Sequence, residues 1–185
     1  RSRIIWTPAE REAFTVHAPA LLSRALEGIM ESGLRPGDLV RFDVERHVQK
    51  TPAGRIIDIP TGNSRGRRHA RPPVTRRMAE LIDATPAGQG LFLLNSRGNP
   101  WTVRVLSKAI RKAATEAGIR EGLHFHDARG YAATRFLIEF KASLAEIADV
   151  MGWSPPYAAT MVRVYADLDH AASRDLLARI NAVSG

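Results

Sequence analysis

Apolar residues recur three and four positions apart over much of the chain, the spacing of a helix that buries one face. Leu21, Leu22, Ala25, Leu26, Ile29 and Met30 predict a helix that Pro19 opens and Gly33 closes. Before it, Thr7-Pro8-Ala9-Glu10 reads as a capping box with Pro in the first turn, starting a helix that runs to about His17. Thr75 caps a helix that turns Met78, Leu81 and Ile82 inward. Thr102 begins a longer one carrying Val105, Leu106, Ala109, Ile110 and Ala113, closed by Gly118. Ser143-Leu144-Ala145-Glu146 is a second capping box, opening a helix from Leu144 to Met151 with Gly152 as its C-cap. Further helices are expected over residues 157–166 and 175–183.

Between Val44 and Val74 the rhythm changes. Short β-leaning runs (His47-Val48-Gln49, Arg55 to Ile59, Arg68 to Val74) are separated by turns at Pro52-Ala53-Gly54 and Thr61-Gly62-Asn63-Ser64-Arg65-Gly66. They predict an antiparallel three-stranded sheet, whose last strand Pro72 and Pro73 end or place at an edge. Leu91-Phe92-Leu93-Leu94 is a buried run. The expected fold is mainly α with a small antiparallel three-stranded β-sheet, a single α+β domain spanning residues 1–185. The opening at Arg1 without a Met marks an expected fragment of a longer protein.

Charge narrows the partner. A formal net charge of +8 on 185 residues makes a nucleic acid the leading partner, and neither a long apolar run nor a basic amphipathic helix favours a membrane. Lysine occurs only at Lys50, Lys108, Lys112 and Lys141, and an Arg bias of this kind also reflects genome composition. Arg65, Arg67, Arg68, Arg71, Arg76 and Arg77 lie in one short stretch. On a hairpin such a run suits the phosphate backbone and carries little sequence information; it equally serves as a solvated edge that resists aggregation. Cysteine is absent, which removes disulfides and thiol nucleophiles and fits a reducing cytoplasm.

Candidate chemistry gathers at Phe125-His126-Asp127-Ala128-Arg129-Gly130. On a helix starting near Asp127, His126 and Arg129 leave one face together, and a planar cation beside a switchable ring donor suits the oxygens of a phosphate. Most His-x-x-Arg pairs are ordinary surface or capping residues. Arg35 sits at the elbow after Gly33, where capping the preceding helix's carbonyls is the more common use of an Arg. His124-x-His126-Asp127 hints at metal ligands, but no further His, Cys or acidic cluster completes a shell, so no metal or other cofactor is expected.

Order along the chain adds what each motif lacks alone. Gly33-Leu34-Arg35 after an apolar helix, a Gly-rich basic hairpin, His126-x-x-Arg129, Gly152-Trp153-Ser154 and then Tyr165 follow one another. That order resembles the catalytic domain of the tyrosine recombinases, the phage-integrase family, from about Trp6 to about Asp169. The resemblance implies catalytic roles for Arg35, His126, Arg129, Trp153 and Tyr165. Tyr165 would be the nucleophile that leaves a 3′-phosphotyrosyl link, with Tyr157 the runner-up and Tyr131 a core or DNA-facing ring. It implies double-stranded DNA as partner, contacted by Arg65, Arg67, Arg68, Arg71 and Lys108. It further implies a homo-tetramer on DNA with the segment after Asp169 docking on a neighbour, an upstream DNA-clamping domain absent here, and a cytoplasmic, nucleoid-associated enzyme of DNA integration.

One position departs from the pattern. The family carries a Lys in the hairpin turn as general acid, and here Pro60 and Asn63 stand where it would fall. Asn63 or Arg65 could stabilise a leaving oxygen, and Lys50 is another stand-in. Two alternatives follow: an integrase-like DNA-binding module with weak or lost catalysis, and DNA relaxation of the type IB topoisomerase kind.

Overall fold

A computed structural model describes residues 4–166, with side chains up to residue 164. The capping signals set the helix boundaries. Helix α1, Pro8–His17, begins at Thr7, whose side chain accepts from the Glu10 amide while Glu10 accepts from the Thr7 amide. Helix α2, Ala20–Ser32, ends at Gly33, which takes the left-handed conformation at φ 69°. Two short helices follow, α3 over Pro36–Leu39 and α4 over Val44–His47. Helices α5 (Arg76–Asp83), α6 (Val103–Glu116), α7 (Ala128–Ile138), α8 (Leu144–Met151) and α9 (Pro155–Ala166) complete the helical set among the described residues. The helix expected over 175–183 and the docking segment after Asp169 lie outside them.

The sheet is more broken than its pattern suggested. Strands β1 (Val48–Thr51) and β2 (Gly54–Ile57) form one antiparallel pair, and β3 (Ile59–Pro60) and β4 (His69–Ala70) form another. The expected third strand does return alongside β2, since Ile57 donates to the Pro72 carbonyl and Val74 to the Arg55 carbonyl. Pro72 has no amide to give back to Ile57, so the third strand never becomes a continuous ladder. Alternation still holds: Ile57, Ile59 and Ala70 are buried, while Asp58, Pro60, His69 and Arg71 share the outer face.

The core has two parts. Trp6, Phe14, Leu26, Phe42 and Phe92 centre the larger one, and Ala132, Phe136, Ile147, Met151 and Trp153 the smaller. Helix α2 packs on α7, which buries the small residues Gly130, Ala132 and Ala133. Phe136 and Met151 then carry the packing on to α8.

Around α2 runs a chain of buried carboxylates. Glu27 accepts two bonds from Arg77 and one from Arg11, and Glu31 accepts from Arg11 and Thr75 and pairs with Arg135 at 3.0 Å. Burial pushes the Glu27 carboxyl up, but its arginine hydrogen bonds outweigh that and hold it below the ordinary 4.5. Its contribution to stability is complete above 4.5 and drains away as pH falls through the lower folded value. Urea unfolding of Glu27→Gln should show a loss of about 1.5–3 kcal/mol at neutral pH, the worth of charged hydrogen bonds. The gap to the unsubstituted protein should close as pH drops below 4.5; a gap that stays constant would show that the charge is not what matters.

Candidate functional site

Arg129 is the knot of the site. The residues leading to it form a 3-10 turn, Phe125–Asp127, closed by the His124 amide donating to Asp127. Phe125 is buried on one side of this turn and His126 is exposed on the other. Arg129, one turn on in α7, is buried with only 6% exposed. Its Nε donates to the Gly33 carbonyl at 2.7 Å and its Nη2 to the Met151 carbonyl at 3.0 Å. Its guanidinium carbon lies 5.7 Å from the centre of the Trp153 ring. Three motifs far apart in sequence are thereby joined: the Gly33-Leu34-Arg35 elbow, the His126-x-x-Arg129 turn and Gly152-Trp153.

Close approach enforces the two glycines. A side chain on Gly33 would come within 2.5 Å of the Met151 sulfur, and one on Gly152 within 2.7 Å of Thr61 and 3.1 Å of the His69 carbonyl. Both glycines also have positive φ, 69° and 60°. Gly152 therefore seats the basic hairpin directly against the turn that carries Trp153.

Arg35 is drawn into the same assembly through Asp38. Asp38 is buried; its Oδ1 accepts from the Gly62 amide at 2.9 Å and from Arg41 at 2.6 Å. Its Oδ2 faces Arg35 Nη1 at 3.8 Å, close enough for attraction and too far for a hydrogen bond. One carboxylate thus ties the Arg35 elbow to the hairpin turn that holds Asn63. Arg35 Nη1 and Trp153 Nε1 are both buried, and neither has a hydrogen-bond partner among the described residues. Leaving a buried donor unpaired costs roughly 1–3 kcal/mol, so each of these groups is available to a bound oxygen, of water or of a ligand; Trp101 Nε1 is buried and unpaired in the same way.

The remaining expected residues are distributed around this centre. Asn63 and Arg65 are exposed on the hairpin turn, where Arg65 has φ 53°. Arg67, Arg68, His69, Arg71, Asp149 and Trp153 line a cavity of about 370 Å³ between the hairpin and α8. Arg71 is committed to Asp58 and Asp149, and so fastens β4 to α8 rather than projecting free. Lys50 is exposed on β1, and Lys108 on α6. Tyr157 is half exposed and stands edge-on to Trp153 with ring centres 5.4 Å apart. Tyr131 packs against the core and accepts from Arg11 at 3.4 Å. Tyr165 occupies the last turn of α9, and its side chain lies outside the described residues.

Sequence reasoning missed Asp38, Asp58 and His69. Asp58 accepts from the His69 ring and from Arg71; burial pushes its carboxyl up, but these bonds hold it below the ordinary 3.8. The alternation of polar and apolar residues through 57–60 was a usable signal for Asp58. Its pairing with His69 depended on the length of the intervening turn. Among the described residues no group of three His, Asp or Glu is disposed to hold a metal.

A larger groove of about 1010 Å³ lies elsewhere, lined by Phe136, Phe140, Val150, Arg76 and Arg77 among others. None of Arg35, His126, Arg129 or Trp153 borders it.

The family model described as the phage integrase family matches residues 10–172. No curated protein sequence matches the chain. The fold is similar to a lambda integrase dimer bound to a COC′ core site, with TM-score 0.68 and 17% identity over 85% of this chain and 47% of that one. It is similar to the lambda integrase catalytic core, with TM-score 0.66 and 18% identity over 80% of this chain and 90% of that one. A XerH site-specific recombinase on a palindromic difH substrate gives TM-score 0.68 at 16% identity, over 96% of this chain and 53% of that one. At these identities the likeness is one of fold, and the chain spans about half the length of the first of these proteins.

The Asp38 bridge has a direct readout. Asp38→Ala removes the acceptor of the Gly62 amide, so hydrogen exchange at Gly62 should accelerate about ten- to hundredfold, the equivalent of about 1–3 kcal/mol. Exchange at the unsubstituted rate would show that the turn is held by something else.

Proposed function

This chain belongs to the phage integrase family, and we propose that it is the strand-cutting domain of a site-specific DNA recombinase. In this reading it cuts and rejoins duplex DNA through a 3′-phosphotyrosyl intermediate. One observation carries the proposal most: Arg35 and Trp153, both expected in the catalytic set, each hold a buried N–H without a partner among the described residues, while Arg129 is anchored to the Gly33 elbow and faces the Trp153 ring.

The chemistry follows from what those groups can do. As the Tyr165 oxygen attacks phosphorus, negative charge grows on the two non-bridging oxygens, and donors already fixed in place stabilise it without reorganising. Arg35 and Arg129 supply charge, His126 a ring N–H from the exposed turn, and Trp153 a hydrogen bond but no proton. Arg129 spends two donor groups on backbone carbonyls, which makes it rigid before substrate arrives. The phosphotyrosine bond stores the energy of the broken phosphodiester, so rejoining needs no nucleotide.

Exposed Arg65, Arg67 and Arg68 on the hairpin, with Lys108 on α6, supply backbone contacts to the duplex, and Arg71 contributes charge while anchoring the hairpin. The net charge of +8 agrees. Assembly as a tetramer on two DNA sites belongs to the same proposal. A binding module that has lost catalysis is the second reading, favoured by Pro60 and Asn63 occupying the hairpin positions where a general-acid Lys was expected.

A pool of duplexes randomised around a nick serves as a suicide substrate whose cleaved end diffuses away. A covalent protein–DNA adduct should form, vanish in Tyr165→Phe and persist in Tyr157→Phe. Arg35→Ala should slow it about 10²–10³-fold, the usual cost of one oxyanion donor. Duplex binding without any adduct would favour the module, and relaxation of plasmid supercoils irrespective of sequence would favour a topoisomerase. Replacing Arg65, Arg67 and Arg68 together by Ala should flatten the salt dependence of duplex binding by up to about 0.9 log units for each phosphate no longer neutralised; an unchanged slope would place the DNA elsewhere.

A further inference from the structure

A phosphoryl-transfer site of this kind must do more than receive the nucleophile. The departing 5′-oxygen of deoxyribose is a strongly basic alkoxide, and it leaves readily only if a proton reaches it as the bond breaks. Most donors around the site cannot supply one. Guanidinium groups hold their protons too tightly, and an indole does not transfer its own. None of the four lysines lines the cavity in which Trp153 meets the hairpin.

One side chain in that cavity has the right chemistry. His69 sits on β4 directly across from Pro60 on β3, so the two side chains share the outer face of the hairpin. Its side chain is 38% exposed, accessible to a bound strand yet supported by protein. Its Nδ1 is bonded to the Asp58 carboxylate, which Arg71 grips through its second oxygen. Arg71 is in turn pinned to Asp149 of α8. The ring is thus fixed by a carboxylate on one nitrogen, and any proton it gives to substrate comes from Nε2.

Resting on the strand-transfer reading above, we propose that His69, oriented by Asp58, is the general acid that protonates the departing 5′-oxygen. The step balances simply. Tyr165 enters as its phenolate, having lost its proton to solvent, and its oxygen bonds to phosphorus. The P–O5′ bond breaks, its electron pair stays on O5′, and O5′ takes the proton from Nε2, leaving neutral imidazole. Rejoining reverses this: the 5′-hydroxyl returns its proton to Nε2 as it attacks, and the phenolate departs. Asp58 favours the charged imidazolium, whereas Arg67, Arg68 and Arg71, which border the same cavity, oppose it; Asp149 offsets Arg71. Asp58 acts as a positioning residue.

The test uses the duplex recovered from the randomised pool in two forms, one with the natural bridging 5′-oxygen and one with sulfur in its place. A thiolate is a far weaker base than an alkoxide and leaves without a proton. His69→Gln should slow adduct formation on the oxygen duplex about 10²–10⁴-fold and react on the sulfur duplex within about threefold of the unsubstituted protein, the marker of lost general-acid help. Asp58→Asn should lose less, with the decline of rate at rising pH moved to lower pH. His126→Gln should be slow on both duplexes, and Tyr165→Phe inert on both. A His69→Gln protein that cuts the oxygen duplex at full rate, or is equally slow on the two, overturns the proposal; so does sulfur rescue of His126→Gln instead. Failure of the unsubstituted protein to form adduct on either duplex overturns the strand-transfer reading itself. Thermal unfolding of His69→Gln near that of the unsubstituted protein separates these outcomes from misfolding.

Discussion

Everything in the described structure that concerns the site depends on one buried guanidinium. A charge as enclosed as that of Arg129 is tolerated only when its donors are answered, and two backbone carbonyls from distant segments answer them. Those carbonyls are available because each belongs to a helix end, Gly33 closing α2 and Met151 closing α8. The left-handed glycine at each helix end turns the chain sharply there, and Arg35 and Trp153 follow within two residues. Arg129 is therefore both a clamp and a member of the group it clamps. Removing it would leave two helix ends unsatisfied, so loss of function on its substitution would not by itself identify a chemical role.

The helices were legible in the sequence because their signals are local. Thr7, Thr75, Thr102 and Ser143 cap helices as the pattern indicated. Gly33 and Gly152 stop them, and the apolar spacing in α2 and α6 named most of the residues that became buried, Leu21 and Val105 being exposed instead. The sheet was read less well, for a physical reason. Strand pairing is decided by which amides can donate, and Pro72 removed a donor from a segment whose side chains otherwise alternate as a strand should.

The candidate site divides in the same way. Arg35, Arg129 and Trp153 were singled out by motif order; in the fold Arg129 binds the Gly33 and Met151 carbonyls and faces the Trp153 ring, and Arg35 faces Asp38. His126 and Arg129 differ in their surroundings, one exposed and one buried, because the turn before α7 is a 3-10 turn rather than part of the helix. Asp38, Asp58 and His69 escaped notice because each matters through a partner more than ten residues away. Asp38 reaches Gly62 across 24 positions, and His69 reaches Asp58 across 11. No local window contains both ends of either bond. The hairpin is thus better understood as a second half of the site than as a basic loop: Asp38 ties it to Arg35, Gly152 seats it against Trp153, and Arg71 binds it to α8.

The proposed function requires these residues to surround a single phosphorus. A crystal structure of the chain with orthovanadate and a pair of DNA half-strands measures this most directly, since vanadium adopts the five-coordinate geometry of the transferring phosphoryl group. One vanadate is expected whose equatorial oxygens lie within hydrogen-bonding distance, about 2.7–3.2 Å, of Arg35 Nη1, an Arg129 nitrogen and Trp153 Nε1, with the Tyr165 oxygen at one apex and the 5′-oxygen at the other. Vanadate bound away from Arg35 and Arg129, or bridging the strands with no tyrosine at either apex, would contradict it.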